Sequence, residues 1–474
     1  MSLHVDVIVI GAGPAGLSAA ACLGEMGLNV LTLDEQSRPG GQIYRNIEEA
    51  PRENLHVLGE SYTKGLAVAR RFRKSSAAYA SGASVWQVEP DGRVCYSQDG
   101  KSRQIRANYI IVATGAMERP MPIPGWQLPG VMGAGAVNNL SKEAGLIPSG
   151  DVVLAGSGPL LLLEATLLIK KGVHIAAILE TTPRIPPATA FPHGPRALLR
   201  PDFLWEGVNM LREIKAAKVP HYQGVRHIRA LGRERFERVE ALCGKETLNI
   251  PASLLMVHFG VIPSTHIFRQ TGCHMTWKAD QRYWHPACDA WGRTNFERIF
   301  AAGDGAGVSG GLAARYKGEL AALEVARCLG IIPAYQRDAL ALPLKKELKK
   351  DGHPRPLVDA IYAPRAEHFV FEDSTVLCRC ENVTVGAVRK AVSEGARELN
   401  EVKIMTRSGM GPCQGRMCGP ALAEVVSAAA FLSPEQTGLL NIRPPLRPVP
   451  LGEIATMELD EIQESGNWLL DAKK

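Results

Sequence analysis

Four of the ten cysteines in this 474-residue chain lie within a single short segment. They form two pairs of different spacing, Cys378 and Cys380 as C-x-C, and Cys413 and Cys418 as C-x-x-x-x-C. Clustered thiols can form structural disulfides, bind zinc, act as a redox thiol pair or hold an iron–sulfur cluster. Each chemistry implies a different function, and other features of the sequence discriminate among them.

The N-terminus argues against disulfides. The segment MSLHVDVIVIGAGPAG has neither the basic region nor the small-residue cleavage site of a secretory signal, which predicts a cytoplasmic protein. The most apolar stretch, residues 152–169, contains glycines, a proline and Glu164, so we expect a strand, a turn and a buried helix and no membrane span. Thiols stay reduced in the cytoplasm, where clustered cysteines more often bind metal than form bridges.

The spacing separates zinc from an iron–sulfur cluster. Structural zinc sites usually use C-x-x-C knuckles, which the C-x-C pair does not match. Four thiolates are the standard complement of a 2Fe–2S cluster. The glycines and the proline around Cys413 leave backbone N–H groups free to point at sulfur atoms. The residues therefore favour a 2Fe–2S cluster, with zinc as the alternative.

A glycine-rich loop near the N-terminus predicts a dinucleotide site. It follows an apolar, β-branched run at residues 5–10, typical of a strand buried in a parallel sheet, and it opens an alanine-rich helix. In a G-x-G-x-x-G loop the first glycine permits a tight turn, the second lets the backbone approach a pyrophosphate, and the third lets helix and strand pack closely. The residues predicted to surround the pyrophosphate are Gly11, Gly13, Pro14, Ala15 and Gly16.

Two acidic residues complete this motif. Asp34 and Glu35 follow a second predicted strand at residues 30–33, where a carboxylate can accept hydrogen bonds from a ribose. The N-terminus of the intervening helix offers free N–H groups and a positive dipole to the phosphates. Because NAD and FAD bind such loops with the same geometry, this motif alone does not choose between them.

Three further segments carry a family resemblance. They are GGQIYR at residues 40–45, YIIVATG ending at Gly115, and RIFAAGDG, which contains Asp304. In this order, with the N-terminal loop, they resemble flavoproteins with two dinucleotide-binding domains. The resemblance implies FAD, with Asp304 near the ribityl-phosphate region; the alternative for Asp304 is a helix-capping role. The further implied FAD contacts are Gly41, Gln42, Thr114, Gly115 and Gly303.

A second loop repeats the layout with a defect. DVVLAGSGPLLLLEATLLIKKGVHIAAILE, residues 151–180, has Gly156 and Gly158 at the first two glycine positions but Leu161 at the third. The leucine should push the helix from the strand or alter the turn. In the resembling family this domain holds NAD(P)H, a role that Leu161 argues against. Glu180 could accept a ribose hydrogen bond or could simply face solvent at the strand end.

The cysteine segment has a resemblance of its own. CRCE and GMGPCQGRMC are similar to parts of the small helical iron–sulfur domain of bacterioferritin-associated ferredoxin. This resemblance implies that all four thiolates are ligands of a 2Fe–2S cluster.

The order of these landmarks is similar, over nearly the full chain, to the FAD-dependent α subunits of heteromeric bacterial amino-acid and opine dehydrogenases. Those enzymes oxidise a C–N bond of octopine or nopaline, of hydroxyproline or proline, or of glycine on the way to cyanide. The resemblance implies a flavoprotein β subunit, similar to amino-acid oxidases, that oxidises the substrate while this chain relays electrons and carries no catalytic residue. It leaves room for a small ferredoxin-like γ subunit, for FMN at a subunit interface, and for peripheral contact with the respiratory chain.

The predicted fold class is α/β, with two dinucleotide-binding, Rossmann-like domains, the second inserted into the first, and a small helical iron–sulfur domain. We expect the proline-rich tail to wrap a neighbouring surface. The expected order is residues 1–145 for the first part of the FAD-binding domain, 146–269 for the inserted NAD-like domain, 270–330 for the return part, 331–372 for a charged linker, 373–425 for the 2Fe–2S domain and 426–474 for the tail.

Three functions fit this layout. The first is the electron-transferring subunit of an amino-acid or opine dehydrogenase. The second is a self-sufficient NAD(P)H-dependent flavin and 2Fe–2S reductase, against which Leu161 argues. The third is a cluster carrier or redox sensor without enzymatic activity, against which a complete FAD site argues. A nucleic-acid partner is not expected, because the net charge is only +6 and no lysine- or arginine-rich run stands out.

Overall fold

The apolar run that precedes the first glycine loop forms the central strand of a sheet. In the computed structural model, which describes residues 5–50, 57–455 and 457, the side chains of Val7, Ile8 and Val9 are fully buried. Residues 1–4, 51–56, 456 and 458–474, which include the end of the predicted tail, lie outside the described residues. The elements up to residue 112 are strands β1 (Val5–Ile10), β2 (Val30–Leu33), β3 (Ala78–Ala80), β4 (Ser84–Val88), β5 (Arg93–Gln98) and β6 (Lys101–Val112), and helices α1 (Pro14–Glu25), α2 (Glu60–Thr63) and α3 (Gly65–Lys74).

This first sheet is parallel at its centre. Strands β3, β2, β1 and β6 lie side by side in that order, and Ile10 at the end of β1 pairs with Leu33 of β2 and Val112 of β6. The long β6 also continues into an antiparallel β4–β5–β6 meander. Because β1, β2 and β6 end together, the loops that follow them meet at one edge of the sheet.

The chain enters and leaves a second unit through two adjacent strands. Strand β7 (Ala116–Glu118) pairs antiparallel with β16 (Val261–Pro263). The elements between them are β8 (Val131–Gly133), α4 (Ala134–Ala144), β9 (Val152–Ser157), α5 (Pro159–Lys170), β10 (Ile175–Glu180), a 3-10 helix (Ala188–His193), α6 (Gly194–Ala197), α7 (Pro201–Ala216), β11 (His221–Gln223), β12 (Val225–Leu231), β13 (Arg238–Cys243), β14 (Glu246–Pro251) and β15 (Leu254–Phe259). Strands β11, β10, β9, β15 and β8 form a parallel sheet in that order, flanked by an antiparallel β12–β13–β14 sheet.

The first sheet is completed after this insertion. Strand β19 pairs in parallel with β6, and helix α9 packs on α1 so closely that a Cβ on Gly318 would lie 2.1 Å from the Ala15 carbonyl oxygen. The elements of this part are α8 (His266–Thr271), β17 (Met275–Lys278), β18 (Tyr283–Pro286), β19 (Ile299–Ala301), a 3-10 helix (Gly303–Ala306) and α9 (Gly311–Cys328).

The segment expected to be a linker contains two helices, α10 (Ala334–Asp351) and α11 (Arg355–Ile361), and a 3-10 helix (Ala366–Phe369). The buried carboxylate of Glu324 on α9 holds α10 in place, because it accepts hydrogen bonds from the guanidinium groups of Arg293, Arg327 and Arg337. The last elements are β20 (Val376–Cys378), β21 (Val383–Thr384), α12 (Val385–Ser393), α13 (Leu399–Thr406), α14 (Gly419–Ala430) and α15 (Leu451–Ala455).

Helices α12, α13 and α14 form a small bundle around fully buried Val388, Val402 and Leu422. The structure thus has the predicted α/β class, with an inserted second sheet and a helical C-terminal unit. Among the described helices, none is long and apolar enough to cross a membrane.

Candidate functional site

The first glycine loop has the geometry of a phosphate cradle. Gly11 has a φ of 100°, and a Cβ there would lie 2.5 Å from the Ala113 carbonyl oxygen. A Cβ on Gly16 would lie 1.8 Å from the Gly11 carbonyl oxygen, so only glycine lets α1 begin here. Gly13, in contrast, has an ordinary φ of −76°, and its added Cβ would meet only the Gly41 Cα, at 3.9 Å. The backbone at Gly13 therefore faces open space in front of the α1 N-terminus, where a pyrophosphate fits.

The two acidic residues after β2 have different roles. The Asp34 side chain is buried and accepts hydrogen bonds from the backbone N–H groups of Gln36, at 2.7 Å, and of Ala12 in the loop. Burial raises the pKa of Asp34. Glu35 is exposed and forms an ion pair with Arg447 of the C-terminal tail. Asp34 thus braces the loop, and Glu35 is the carboxylate that faces outward.

The GGQIYR segment lies against the first loop. The Gly40 N–H donates to the Ala12 carbonyl oxygen at 2.8 Å, and a Cβ on Gly41 would lie 2.7 Å from the Gly13 Cα. The side-chain oxygen of Gln42 accepts a hydrogen bond from Asn139 on α4 at 2.6 Å. Glycine at 41 is needed for this close approach, because its φ is +60° as well.

The segment with Asp304 reaches the same edge of the sheet. Gly303 contacts Ala15 at the start of α1, where a Cβ on Gly303 would lie 2.7 Å from the alanine Cβ. One oxygen of the Asp304 carboxylate accepts hydrogen bonds from the N–H groups of Ser309, at 2.8 Å, and Gly310, at 3.0 Å, just before α9. Asp304 therefore shapes the turn that leads into α9 and does not cap that helix, since both donors precede the first helical residue, Gly311.

The segment with Thr114 and Gly115 links this edge to the cysteines. The Gly115 carbonyl accepts a hydrogen bond from the Ser264 N–H at 3.0 Å, and the Thr114 hydroxyl donates to the Ser264 carbonyl at 3.3 Å. Two residues later, the buried His266 donates its Nε2–H to the carbonyl of Gln414, the neighbour of Cys413, at 3.1 Å. Burial lowers the pKa of His266 to about 3, so its imidazole is neutral near pH 7. All the segments predicted to bind FAD thus meet at one edge, and the cysteine loop packs beside them.

The second glycine loop is built differently. Gly156 keeps the tight turn, since a Cβ there would lie 1.7 Å from the His258 carbonyl oxygen. Gly158, however, has a φ of +118°, unlike its counterpart Gly13, and Leu161 is fully buried in the core below the loop. The leucine is therefore accommodated by a changed turn, one of the two outcomes that the sequence predicted.

A histidine that belongs to no motif in the sequence, His258, lies against this second loop. The His258 ring lies 3.4 Å from the Cβ position of Gly158, and its Nδ1 hydrogen-bonds to Glu118 at 2.7 Å. The side chain is 2% exposed, so it is fixed in place. Glu180, expected to bind ribose or to face solvent, is instead buried and bonded to His221 Nε2 at 2.8 Å. The expectation of a solvent-facing Glu180 is wrong.

A buried polar cluster lies behind this loop on α4 and α5. The Glu164 carboxylate accepts a hydrogen bond from Asn138, and burial raises its pKa to about 7. The nearby Lys142 ammonium has its pKa lowered to about 8 by burial, against the attraction of Glu164. Glu164 was visible in the sequence as an acid inside an apolar stretch, but its partners are distant along the chain.

The four clustered cysteines come together as two pairs. Cys378 contacts Cys418, and both are buried, whereas Cys380 contacts Cys413, and Cys380 is exposed. The Cys378 sulfur accepts hydrogen bonds from Cys418 and from backbone N–H groups that include that of Gly409, and these lower the pKa of Cys378 to about 5. Contact with Cys378, and then burial, raise the pKa of Cys418.

The donor set distinguishes between a single ion and a two-iron cluster. Within the part of the chain that the structure describes, no three His, Cys, Asp or Glu side chains converge on a single metal-ion position. A 2Fe–2S cluster takes two thiolates on each iron, which matches two thiol pairs, and N–H groups directed at sulfur are typical of such sites. Gly411 is needed beside them, since its Cβ would lie 2.3 Å from the Cys380 Cβ. The residues present fit a 2Fe–2S cluster better than a single zinc ion.

Comparisons with known proteins agree with this geometry. Residues 5–327 match the pyridine nucleotide-disulphide oxidoreductase family, and residues 372–457 match the sarcosine oxidase A3 domain. The A subunit of opine oxidase from Rhizobium meliloti is 38% identical over 95% of this chain and 87% of its own length. The HcnB subunit of hydrogen cyanide synthase from Pseudomonas aeruginosa is 32% identical over 94% of this chain and 98% of its own. The crystal structure of L-proline dehydrogenase from P. horikoshii shares the fold, with a TM-score of 0.71 at 20% identity over 95% of this chain and 79% of that one.

Proposed function

The chain belongs to the pyridine nucleotide-disulphide oxidoreductase family, in the group that holds the opine oxidase A subunits and the HcnB subunits of hydrogen cyanide synthase, and from this premise we propose its role. It is an FAD-dependent oxidoreductase that serves as the electron-transferring subunit of a heteromeric dehydrogenase. The complex oxidises the C–N bond of an amino acid or opine, and a partner flavoprotein subunit oxidises the substrate. The flavin and a 2Fe–2S cluster, when bound, supply electron storage in this chain.

The observation that carries the proposal is the short connection between the two redox sites. Ser264 bonds to Gly115 at the predicted flavin site, and His266 bonds to Gln414 beside Cys413. A segment of only three residues, 264–266, thus contacts both sites. Electron transfer between cofactors needs such proximity, and a neutral buried His266 keeps the intervening segment rigid without adding a charge that would change with pH.

The chain's own residues have distinct tasks in this proposal. The backbone of Gly13 and the N-terminus of α1 bind the FAD phosphates, because they offer free N–H groups. Glu35 accepts hydrogen bonds from the adenosine ribose, while Asp34 keeps the loop in shape. The four thiolates hold the cluster, and backbone N–H groups around Cys378 stabilise their negative charge.

An exposed apolar segment supports the assembly with other subunits. Between residues 185 and 211, several large apolar side chains are more than half exposed, and α7 buries only Ile214. A cluster of this kind is characteristic of a protein–protein contact. The most exposed of these side chains are Ile185, Phe191, Leu198, Leu199 and Trp205.

The proposal is tested by Cys413→Ser in the chain co-expressed with its partner subunits. The variant should lose iron and sulfide and the electron paramagnetic resonance signal of the dithionite-reduced protein, while it keeps FAD, because the two sites are built from different segments. Flavin reduction by the amino acid or opine should persist, and turnover with an external acceptor should fall at least about tenfold.

Cys243→Ser is the matched control, since that thiol lies on β13 away from the quartet and donates to the Gln223 carbonyl, which a serine hydroxyl can also do. One equivalent of zinc without iron after anaerobic purification would overturn the cluster assignment. Undiminished turnover in cluster-free Cys413→Ser would overturn the relay.

A further inference from the structure

The surface around the cysteine quartet has an apolar centre. Met410 lies between Gly409, whose N–H donates to the Cys378 sulfur, and Gly411, which packs on Cys380. Met410 is 41% exposed, and Ile404 at the end of α13 is 73% exposed. Cys380 itself is exposed. The quartet is therefore least covered where Ile404 and Met410 form a small, solvent-exposed apolar patch.

Cationic side chains surround this patch and form a rim. Arg379, Arg407 and Arg443 are exposed, and Lys403 lies beside Ile404. Two carboxylates near the rim are already in ion pairs, Glu381 with Arg407 at 2.8 Å and Glu35 with Arg447. The positive charge of the rim therefore comes from Arg379, Lys403 and Arg443, on the side of the molecule where the quartet is least covered.

A cavity of about 520 Å³ lies next to the patch, between the quartet loop and the proline-rich tail. Lys403, Met410, Arg443 and Pro445 are among its lining residues. The tail is fixed there because the Gln414 and Arg416 side chains donate to the carbonyls of Pro445 and Leu446. The surface is thus a concave, preformed groove with an apolar floor and a cationic edge.

We propose that this groove is the docking site of an acidic protein that carries one electron at a time. The inference rests on the proposed function, since it names the acceptor of the electrons that leave the quartet. A cationic rim selects a partner with acidic groups and steers its approach, while an exposed apolar centre of few residues suits a weak, rapidly exchanging contact. A small anion would use the charges but would leave Ile404 and Met410 uncovered.

The electron count is simple. Oxidation of one substrate C–N bond in the partner subunit releases two electrons, and each carrier molecule accepts one. Two molecules of the oxidised carrier are therefore reduced for each substrate oxidised, the released protons pass to solvent, and no covalent bond forms between the carrier and this chain.

An oxidised flavodoxin, a small acidic one-electron carrier, is the probe. We expect it to bind the holoprotein with a micromolar dissociation constant at low ionic strength. The affinity should fall steeply as salt is added. Arg443→Glu should weaken binding at least about tenfold at low salt and flatten the salt dependence. Lys346→Glu makes the same charge change at an exposed position of α10. It should change the dissociation constant only slightly and leave the salt dependence as it is in the wild type.

A second variant tests the apolar centre. Ile404→Ser should weaken binding several-fold at every salt concentration, since it removes apolar contact and no charge. Because the side chain is exposed, the variant should stay folded, and the thermal midpoint verifies this. Basic ferricytochrome c, measured in parallel, should not bind the wild-type groove.

The results separate this inference from the function on which it rests. A protein that holds iron but does not bind flavodoxin, or that binds it equally after Arg443→Glu, overturns the docking site and leaves the proposed function intact. A protein that binds flavodoxin in the predicted manner but never holds iron supports the docking site and overturns the cluster relay.

Discussion

The two glycine loops begin with the same turn and then diverge. Gly11 packs against the carbonyl of Ala113, just after β6, and Gly156 packs against the carbonyl of His258, near the end of β15. At the next step the first loop leaves open space at Gly13, whereas the second has a buried imidazole against Gly158. The same first turn therefore leads to an open cradle in one loop and to a filled one in the other, depending on whether a side chain lies against the second glycine.

The acidic residues differ in the same sense. At the first loop one carboxylate braces the backbone and a second, Glu35, stays exposed. At the second loop the carboxylate of Glu180 is hydrogen-bonded to His221 on the neighbouring strand. Helix α5 also has Glu164 where α1 has Ala19, so the second unit has a buried carboxylate where the first has a small buried apolar side chain.

The largest effect should come from Gly13→Val. A side chain there projects into the open space in front of α1, so FAD should be lost almost completely while the protein stays folded, because the φ of Gly13 suits any residue. The ratio of flavin absorbance to protein absorbance measures this. Gly207→Val, on a helix surface with nothing within 4 Å of the new Cβ, is the control and should keep its flavin. Full flavin content in Gly13→Val would refute the assignment of the first loop.

An intermediate effect is expected from Glu164→Gln. Burial raises the pKa of Glu164 from 4.5 to about 7, so the folded state favours the protonated acid. The contribution of Glu164 to the free energy of unfolding is therefore largest below pH 4.5 and decreases as the pH rises to 7 and above. The decrease is at most about 3 kcal/mol, and attraction to the Lys142 ammonium offsets part of it.

Glutamine cannot ionise. The free energy of unfolding of the variant relative to that of the wild type should therefore be higher at pH 7.5 than at pH 5. Urea unfolding at the two pH values measures the gain, and Glu206→Gln on the exposed surface of α7 should show none. A gain that is equal at both pH values would contradict the assigned titration.

The smallest effect is expected from reduced nicotinamides. Because His258 covers Gly158 and Leu161 has changed the turn, millimolar NADH or NADPH should leave the flavin spectrum unchanged for minutes. Dithionite should bleach the same sample at once. Rapid stoichiometric bleaching of the flavin at micromolar nucleotide would show that the second loop also serves a nucleotide. That result would favour a self-sufficient reductase.

Sequence reasoning predicted the parts that depend on local spacing. The glycine positions follow from motif spacing. The inserted second sheet and the helical cysteine unit were implied by the family resemblance, which is confirmed. Sequence reasoning also predicted that Leu161 would either push the helix from the strand or alter the turn.

The sequence could not reveal contacts between distant segments. His258 and Glu118 lie on crossing strands 140 residues apart, and the partner of Glu35 is Arg447 in the tail. The segment from 331 to 372 was interpreted as a linker because of its prolines and charges, yet the ion pairs of Glu324 fix a helix there. In each case a side chain's role is set by tertiary packing, which spacing does not encode.

The pairing of strands β7 and β16 makes the second unit a self-contained insertion. Residues Ala116 and Pro263 are partners in an antiparallel ladder, so the second unit departs from and returns to nearly the same point, as the arms of a hairpin do. Changes inside such a unit need not be transmitted to the sheet that surrounds it. One unit can therefore hold an imidazole and a leucine at its loop while the other keeps the open space at Gly13.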